Sequence, residues 1–226
     1  MKILAFDTST KFLTIACLED DTVVSRYHED VGIKHSKVLI SMIGNVIEEA
    51  GWRLEELDLI CVGIGPGSFT GLRIAVATVK GIALTLGVKV LGVPTMDAMV
   101  YNISKATGKF APFMDARKGK VYSCIYDMAE EEPKRLTEYL LVSESELLGK
   151  LTEEVTFFGD GIEKYREELE AHPLAKYTQE VDWYPKAKDI GKIGFMRKGE
   201  AILAEEIEPM YLHAKECNIT QKKKIN

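Results

Sequence analysis

The sequence predicts an α/β fold of two lobes, each built around a sheet that helices cover. Near the start, three strand-like segments follow one another with short links, as in an antiparallel meander. Helical and strand-like segments then alternate, as parallel strands joined by helices require. A pattern of apolar strand, aspartate, turn and second strand occurs at residues 3–17 and again at 111–126, which a duplicated unit would produce.

Composition and charge narrow the class of protein. The 226 residues suffice for two compact lobes with a sizeable core. Hydrophobic residues make up 46% and charged residues 28%, which excludes collagen-like and disordered chains. A formal charge of −6 argues against broad, non-specific nucleic-acid binding. The start is too short in apolar residues for a signal peptide, and no apolar run approaches the roughly 20 residues of a membrane span, so we expect a cytoplasmic protein without a membrane partner.

The first lobe is predicted over residues 1–103, with the element order β-β-β-α-β-α-β-α. Apolar runs bounded by turn residues predict the strands, and apolar spacing at i, i+1 and i+4 that stops at Gly51 predicts the first helix. The predicted strands are 2–7, 12–18, 22–28, 59–64 and 89–93, and the predicted helices are 38–50, 71–86 and a segment after residue 94. Right-handed crossovers make the first, fourth and fifth strands parallel neighbours. This order is that of the ribonuclease-H-like fold, also found in the lobes of actin-like ATPases and sugar kinases.

The second lobe is predicted over residues 104–216, with a basic tail at 217–226 that we expect to be frayed. Strands are predicted at 111–115, 121–126 and 155–158, and helices at 143–151, 162–169 and 186–198. Ser143 with Glu146 three residues later predicts a capping box at the first of these helices. Since about one and a half copies of the repeated pattern are visible, we expect this lobe to be reduced.

One turn has the residues of a phosphate site. Asp7, Thr8 and Ser9 follow the first strand, where backbone N–H groups and hydroxyls can meet an anion and the carboxylate can hold a metal through water. The alternative is that these residues cap a hairpin. Asp115 has the corresponding place in the second lobe, so Asp7 and Asp115 could lie on either side of a magnesium nucleotide.

A glycine-rich segment joins the fourth strand to the second long helix. Its residues of interest are Gly65, Gly67, Ser68, Thr70, Gly71 and Arg73. The glycines let the backbone approach a ligand closely, and the start of the helix is an anion site that Ser68 or Thr70 can cap. The segment is not a Walker loop, because no Lys-Ser/Thr follows its last glycine. The alternative is a tight turn packed against the sheet.

The helix at 71–86 is poor in charge, which favours a partner interface. Only Arg73 and Lys80 are charged, whereas a surface helix ordinarily has a broad polar face. Small residues along it permit another helix to approach closely. The interface is predicted to include Ser36, Ile40, Ile43, Gly44, Ile47, Ala75, Ala77, Thr78, Gly81 and Ile82.

Metal and protease chemistry find no support in the sequence. His35 is followed four residues later by Leu39, so a His-xxx-His metal site cannot be built there. A metallopeptidase is excluded on ligand count, and no Gly-x-Ser-x-Gly nucleophile elbow occurs. Cys17, Cys61 and Cys124 lie in apolar, strand-like runs and are predicted to be buried thiols.

Several motifs closely resemble those of the bacterial TsaB (YeaZ) family, in register over essentially the whole chain. They are Asp7-Thr8-Ser9-Thr10, His35-Ser36, Gly65-Pro66-Gly67-Ser68-Phe69-Thr70-Gly71-Leu72-Arg73 and Asp115-Ala116-Arg117-Lys118-Gly119-Lys120-Val121-Tyr122. Pro209-Met210-Tyr211-Leu212 is similar to the family's closing motif, although His213 stands where an arginine is usual.

The resemblance implies a non-catalytic, actin-like subunit that dimerises with TsaD. It would support threonylcarbamoyl transfer to the adenosine at position 37, next to the anticodon, of tRNAs reading ANN codons. TsaD keeps a His-xxx-His metal pair, whereas this chain has His35 and Leu39. The resemblance further implies that TsaE, an ATPase, joins the complex, that ATP or ADP could lie at the subunit interface, that the chain alone forms a homodimer, and that tRNA is engaged indirectly. The alternative function is a stand-alone ATP-binding phosphotransferase or ATPase.

Overall fold

The computed structural model describes residues 1–103, 107–129, 132–180 and 183–212, and these residues form two five-stranded sheets with short additions. Two expectations fall outside the described residues: the frayed tail at 217–226, and the departure from the family's closing motif at position 213.

Cys17, Cys61 and Cys124 are buried, as predicted. Burial raises the pKa of the Cys17 thiol to about 11, so this thiol stays protonated and unreactive at neutral pH.

The strands of the first sheet are β1 (Lys2–Asp7), β2 (Phe12–Glu19), β3 (Thr22–Asp30), β4 (Leu59–Gly65) and β5 (Lys89–Pro94). Their order across the sheet is β3-β2-β1-β4-β5. β1, β2 and β3 are antiparallel, and β4 and β5 run parallel to β1. The sequence prediction of these strands, and of the first, fourth and fifth as parallel neighbours, is confirmed. The order is that of the ribonuclease-H-like, actin-like fold class.

Two long helices cover one face of the first sheet. They are α1 (His35–Glu49) and α2 (Phe69–Leu86), followed on the chain by the short α3 (Thr95–Val100). Because side chains alternate along a strand, Leu4 and Phe6 of β1 point to the same face and pack with Leu39 of α1 and Val79 of α2. α2 ends at Gly87, whose left-handed conformation (φ 70°) closes the helix.

A helix from the far end of the chain covers the opposite face of the first sheet. This helix, α7 (Ala187–Met196), packs on β1 and β2 through Ile190 and Ile193. Its contact with β4 is so close that a Cβ added at Gly194 would lie 2.1 Å from the Cys61 Sγ. The boundary predicted near residue 103 therefore separates the two sheets, but residues beyond it complete the core of the first.

The main strands of the second sheet are β6 (Lys109–Asp115), β7 (Val121–Ser123), β10 (Leu140–Val142), β11 (Val155–Phe158) and β12 (Ala175–Tyr177). Their order across the sheet, β10-β7-β6-β11-β12, repeats that of the first sheet. Pairing is antiparallel at β10, β7 and β6 and parallel at β6, β11 and β12, as in the first sheet. The expectation of one and a half repeats was wrong for the strands, since all five recur. The reduction lies in the helices.

The helices of the second lobe are short. They are α4 (Glu144–Leu148), α5 (Gly161–Lys164) and α6 (Arg166–Ala171), and two small strands, β8 (Tyr126–Asp127) and β9 (Lys134–Arg135), extend the sheet at β6. The predicted N-cap of α4 is confirmed, because the Glu146 N–H donates to the Ser143 Oγ at 3.2 Å. The second half of the predicted capping box is not formed, because the Glu146 carboxylate accepts from the Lys150 Nζ at 2.7 Å instead. The single helix predicted at 162–169 is divided at Tyr165, whose ring packs edge-on against Phe113 in the core.

Candidate functional site

The end of β1 is held in a closed network of hydrogen bonds. The Asp7 Oδ1 accepts from the Ser9 N–H at 2.6 Å, and the Asp7 Oδ2 accepts from the Thr95 Oγ1 at 2.9 Å. The Asp7 side chain has no exposed surface, and burial raises the pKa of its carboxyl group. Thr95 opens α3, so this network ties the start of α3 to the end of β1.

The glycine-rich segment packs directly on that turn. The Ser68 N–H donates to the Ser9 carbonyl at 2.7 Å, and the Thr8 Oγ1 donates to the Gly71 carbonyl at 2.8 Å. A Cβ at Gly71 would lie 1.9 Å from the Thr8 carbonyl oxygen, so no other residue fits there without moving the backbone. At this position the glycine serves close packing of the segment against the turn.

Some of the residues predicted to contact phosphate line a cleft, whereas others are buried and do not reach it. Asp7 and Thr8 have no exposed surface and make their hydrogen bonds within the lobe. Ser9 lines a cleft of about 970 Å³ between the lobes, together with Ser68 and Thr70 at the start of α2. Asp115 lines the same cleft from the second lobe. The Asp7 and Asp115 side chains are therefore not both presented to a shared ligand.

Asp115 is part of a charged cluster on the second-lobe wall of the cleft. Its carboxylate lies 3.6 Å from the Arg117 Nη1 and 3.5 Å from the Lys164 Nζ. The Asp115 N–H donates to the Asp160 Oδ1 at 3.1 Å, and burial raises the pKa of Asp160. With Lys11 on the opposite wall, the cleft is lined by three cationic side chains (Lys11, Arg117 and Lys164) and three carboxyl groups (Asp115, Asp160 and Glu163). Because these charges balance, the feature of the cleft that favours an anion is the amino-terminal end of α2.

The start of α2 is capped by Ser68 and contacted by a segment from the end of the described chain. The Ser68 Oγ accepts from the Gly71 N–H at 3.2 Å, which is the predicted N-cap. The sequence did not predict that the segment at 209–212 lies against the start of α2. The Met210 N–H donates to the Ile64 carbonyl at 2.7 Å, and the Tyr211 ring lies 5.0 Å from the Phe69 ring. The Arg73 guanidinium carbon lies 3.9 Å from the Phe69 centroid and the Arg73 Nε donates to the Tyr211 hydroxyl at 3.4 Å.

His35 serves the fold at the start of α1. Its ring is buried, with the Nε2 3.3 Å from the Phe12 carbonyl oxygen, and Leu39 one turn later is part of the core. Among residues 1–103, 107–129, 132–180 and 183–212, no group of three or more His, Cys, Asp or Glu side chains is placed to hold a metal ion.

The predicted interface residues divide into exposed and buried sets. Ser36, Ile40, Gly44, Ala77 and Gly81 are exposed, and Thr78 and Ile82 are half-buried. The inclusion of Ile43, Ile47 and Ala75 was wrong, because these side chains are turned toward the sheet and lie in the core. The helical period explains the error: positions 39, 43, 46 and 47 form one face of α1, and 72, 75, 76, 79 and 83 form one face of α2.

Exposed apolar and small residues remain on adjoining surfaces of α1 and α2. We call this set the α1–α2 face, and it consists of Ile40, Gly44, Ala77, Gly81 and Leu84. Ile40 is 62% exposed and Leu84 is 54% exposed. Sequence reasoning missed Leu84, although its spacing from Ala77 and Gly81 (i, i+4, i+7) places all three on one side of α2. By length and composition α2 could also cross a membrane, but its opposite side is packed on β4.

Comparisons with known proteins decide the family. A family model described as TsaD, tRNA N6-adenosine threonylcarbamoyltransferase, matches residues 25–219. The tRNA threonylcarbamoyladenosine biosynthesis protein TsaB of Bacillus subtilis (strain 168) is 30% identical over 173 residues, which are 75% of this chain and 76% of the relative. The TsaB of Escherichia coli (strain K12) is 32% identical over 132 residues, 58% of this chain and 57% of that protein. The chain belongs to the TsaB (YeaZ) family.

A solved structure of the family agrees with the fold described above. YeaZ from Pseudomonas aeruginosa superposes with a TM-score of 0.79 at 28% identity, over 93% of this chain and 99% of that one. The likeness therefore includes both sheets. Three of the five motifs that resemble the TsaB family meet in one place, because the turn after β1, the glycine-rich segment and residues 209–212 all pack around the start of α2.

Proposed function

We propose that this chain is a non-catalytic subunit in the biosynthesis of threonylcarbamoyladenosine in tRNA, and that it binds TsaD through the α1–α2 face. In this role it supports transfer of the threonylcarbamoyl group to the adenosine at position 37 of tRNAs reading ANN codons. The complex assembles in the cytoplasm, TsaE joins it, and tRNA is engaged through the assembly. In the absence of TsaD, the same face pairs two copies of this chain.

The observation that carries this proposal is the α1–α2 face itself. Gly44 and Gly81 have no atom within 4 Å of the position of an added Cβ, so the surface above them is open and a partner helix could come close to the backbone. Ile40 and Leu84 flank these glycines as exposed apolar side chains. An apolar centre with small residues is suited to a stable protein interface, where close packing excludes water.

His35 and Leu39 of α1 favour a non-catalytic role. A transferase metal site of the His-xxx-His kind needs a second imidazole where this chain has Leu39, and Leu39 is 1% exposed within the core. The cleft between the lobes is suited to the phosphates of ATP or ADP at its edge near the start of α2. We propose that any nucleotide is held there jointly with a partner, since Asp7 is closed off from the cleft.

Co-purification with TsaD tests the interface. We expect Ala77→Glu to abolish the complex, because it introduces a charge at the centre of an apolar contact, and Ala129→Glu, at an exposed position outside the α1–α2 face, to leave it intact. In size-exclusion chromatography of each variant without TsaD, Ala77→Glu should elute as a monomer, whereas Ala129→Glu should keep the homodimer. Undiminished binding of TsaD by Ala77→Glu would count against the α1–α2 face.

A modification assay tests the assignment of function. Purified TsaD with tRNA and threonylcarbamoyl donor should modify tRNA with this chain and fail without it, and the chain alone should modify none. The competing interpretation is a stand-alone ATPase or phosphotransferase. Rapid ATP turnover by the isolated chain, lost in Asp115→Asn, would favour that interpretation.

A further inference from the structure

A second cavity, of about 610 Å³, lies where α3, α7, Tyr126 and residues 132–139 meet. Its lining brings together groups that the proposed function does not use: Asp97, Tyr101, Tyr139, Arg135 and Met196. The cavity has the size of a site for a small molecule. It is lined by α3 and α7 on one side and by second-lobe strand residues on the other, so a molecule bound there would contact both lobes.

The carboxylate of Asp97 is fixed by two phenols. Its Oδ1 accepts from the Tyr126 hydroxyl at 2.5 Å and from the Tyr139 hydroxyl at 2.7 Å. Burial raises the pKa of both tyrosines, so both hydroxyls keep their protons and remain donors. Within the described ranges the other oxygen, Oδ2, has no hydrogen-bond or ion-pair partner. Asp97 therefore offers an oriented anionic acceptor at the cavity.

The same cavity holds a cation without an ion-pair partner. The Arg135 guanidinium carbon lies 4.3 Å from the centre of the Tyr139 ring, and Arg135 pairs with no carboxylate in the part of the chain that the structure describes. Arg197, also at the cavity, is engaged by Glu200, with its Nε 3.0 Å from the Glu200 Oε2. Stacking on Tyr139 holds Arg135 beside the cavity, where its fork of N–H groups suits a carboxylate.

We propose that this cavity binds a small zwitterion, a free amino acid or a molecule with an amino-acid head group. The ammonium pairs with the Oδ2 of Asp97, and the carboxylate pairs with Arg135. The side chain of the ligand lies against Tyr101, Ile193 and Met196, the last of which is 47% exposed. An apolar or aromatic amino acid fits this wall best. The inference is independent of the TsaD interface.

Titration of the full chain with L-phenylalanine, followed by amide chemical shifts, tests the proposal. We expect saturable shifts confined to residues around 97–101, 132–139 and 193–197. Phenethylamine, which lacks the carboxylate, and 3-phenylpropionate, which lacks the ammonium, should each bind at least about tenfold more weakly, because each loses a charge-assisted hydrogen bond. L-Leucine and L-methionine serve as further probes.

Two variants separate the charges. Asp97→Asn should weaken phenylalanine and phenethylamine but not 3-phenylpropionate, whereas Arg135→Gln should weaken phenylalanine and 3-phenylpropionate but not phenethylamine. Arg166→Gln is the matched control, since Arg166 is an exposed arginine near a tyrosine ring (5.4 Å from Tyr177) outside the cavity. Should Asp97→Asn fail to fold, the exposed Arg135→Gln alone decides. No saturation by any of the three amino acids, equal binding of the analogues, or shifts outside the cavity would overturn the proposal.

Discussion

Asp7 is a carboxyl group whose surroundings favour its protonated form. Its two oxygens accept hydrogen bonds from Ser9 and Thr95, and these contacts and the nearby His35 partly offset the burial that raises its pKa. Because the folded state holds the proton more tightly than the unfolded state, this group makes stability fall as pH rises from its ordinary pKa to its folded pKa. Above the folded pKa its contribution stays constant.

We therefore expect Asp7→Asn to unfold at pH 7 with a free energy equal to or higher than that of the wild type, and with a flatter pH dependence. The amide oxygen can still accept from the Ser9 N–H. Asp7→Ala leaves that donor unpaired and should lower the free energy of unfolding by about 1–3 kcal/mol. Urea denaturation at pH 5 and pH 7 measures both. Equal losses in the two variants would show that the carboxylate charge itself is required.

At the level of elements, α2 combines three functions in one helix. Its first turn packs on the turn after β1, one face packs on the sheet, and the other side contributes to the α1–α2 face. The glycines of α2 separate these functions, because Gly71 is enclosed by the Thr8 backbone and Gly81 is open. The same residue type therefore has opposite consequences ten residues apart.

Alanine at these two positions should act in opposite directions. Gly71→Ala is expected to lower the free energy of unfolding by about 1–3 kcal/mol, because its methyl group collides with backbone. Gly81→Ala should raise it by roughly 0.5–1 kcal/mol, because alanine is the better helix former and meets no atom. Urea denaturation compares them. A Gly81→Ala chain that is more stable alone but binds TsaD more weakly would support close helix approach there; destabilisation of the isolated chain would contradict the open surface.

The sequence predicted an element when its hydrophobic pattern was long enough to recognise. Apolar runs and long helical periods located every strand of the first sheet and both long helices. β9 consists of Lys134 and Arg135, which are both exposed, so no hydrophobic alternation marks it. The division at Tyr165 arises from packing against Phe113, a tertiary contact that local propensity does not contain. For the site, the glycine-rich motif predicted the location, but burial of Asp7 depended on residues far along the chain, such as Thr95.

For the whole molecule, α7 is the element that unites the lobes. It covers the face of the first sheet formed by Ile3, Ala5 and Leu18, while α1 and α2 cover the other. Two sheets with the same strand order are thus joined through a helix that follows the second sheet in the chain and packs on the first. We propose that the lobes 1–103 and 104–216 are structural units of the sheet topology but not independent folding units.

A fragment of residues 1–103 tests this. We expect it to lack a stable native fold and to aggregate, because removal of α7 exposes an apolar sheet face. A chain of residues 1–212 should fold as the full chain does. Circular dichroism and two-dimensional NMR compare the fragments. A well-dispersed spectrum with cooperative unfolding from 1–103 would show instead that the first lobe is autonomous.

The position of α7 bears on synthesis of the protein. Domains ordinarily fold from the amino terminus as they emerge from the ribosome. Here β1 is made first, but one of its faces stays uncovered until residue 196 has been translated. The apolar face that α7 covers in the folded protein must therefore stay in contact with water or a chaperone while most of the chain is synthesised.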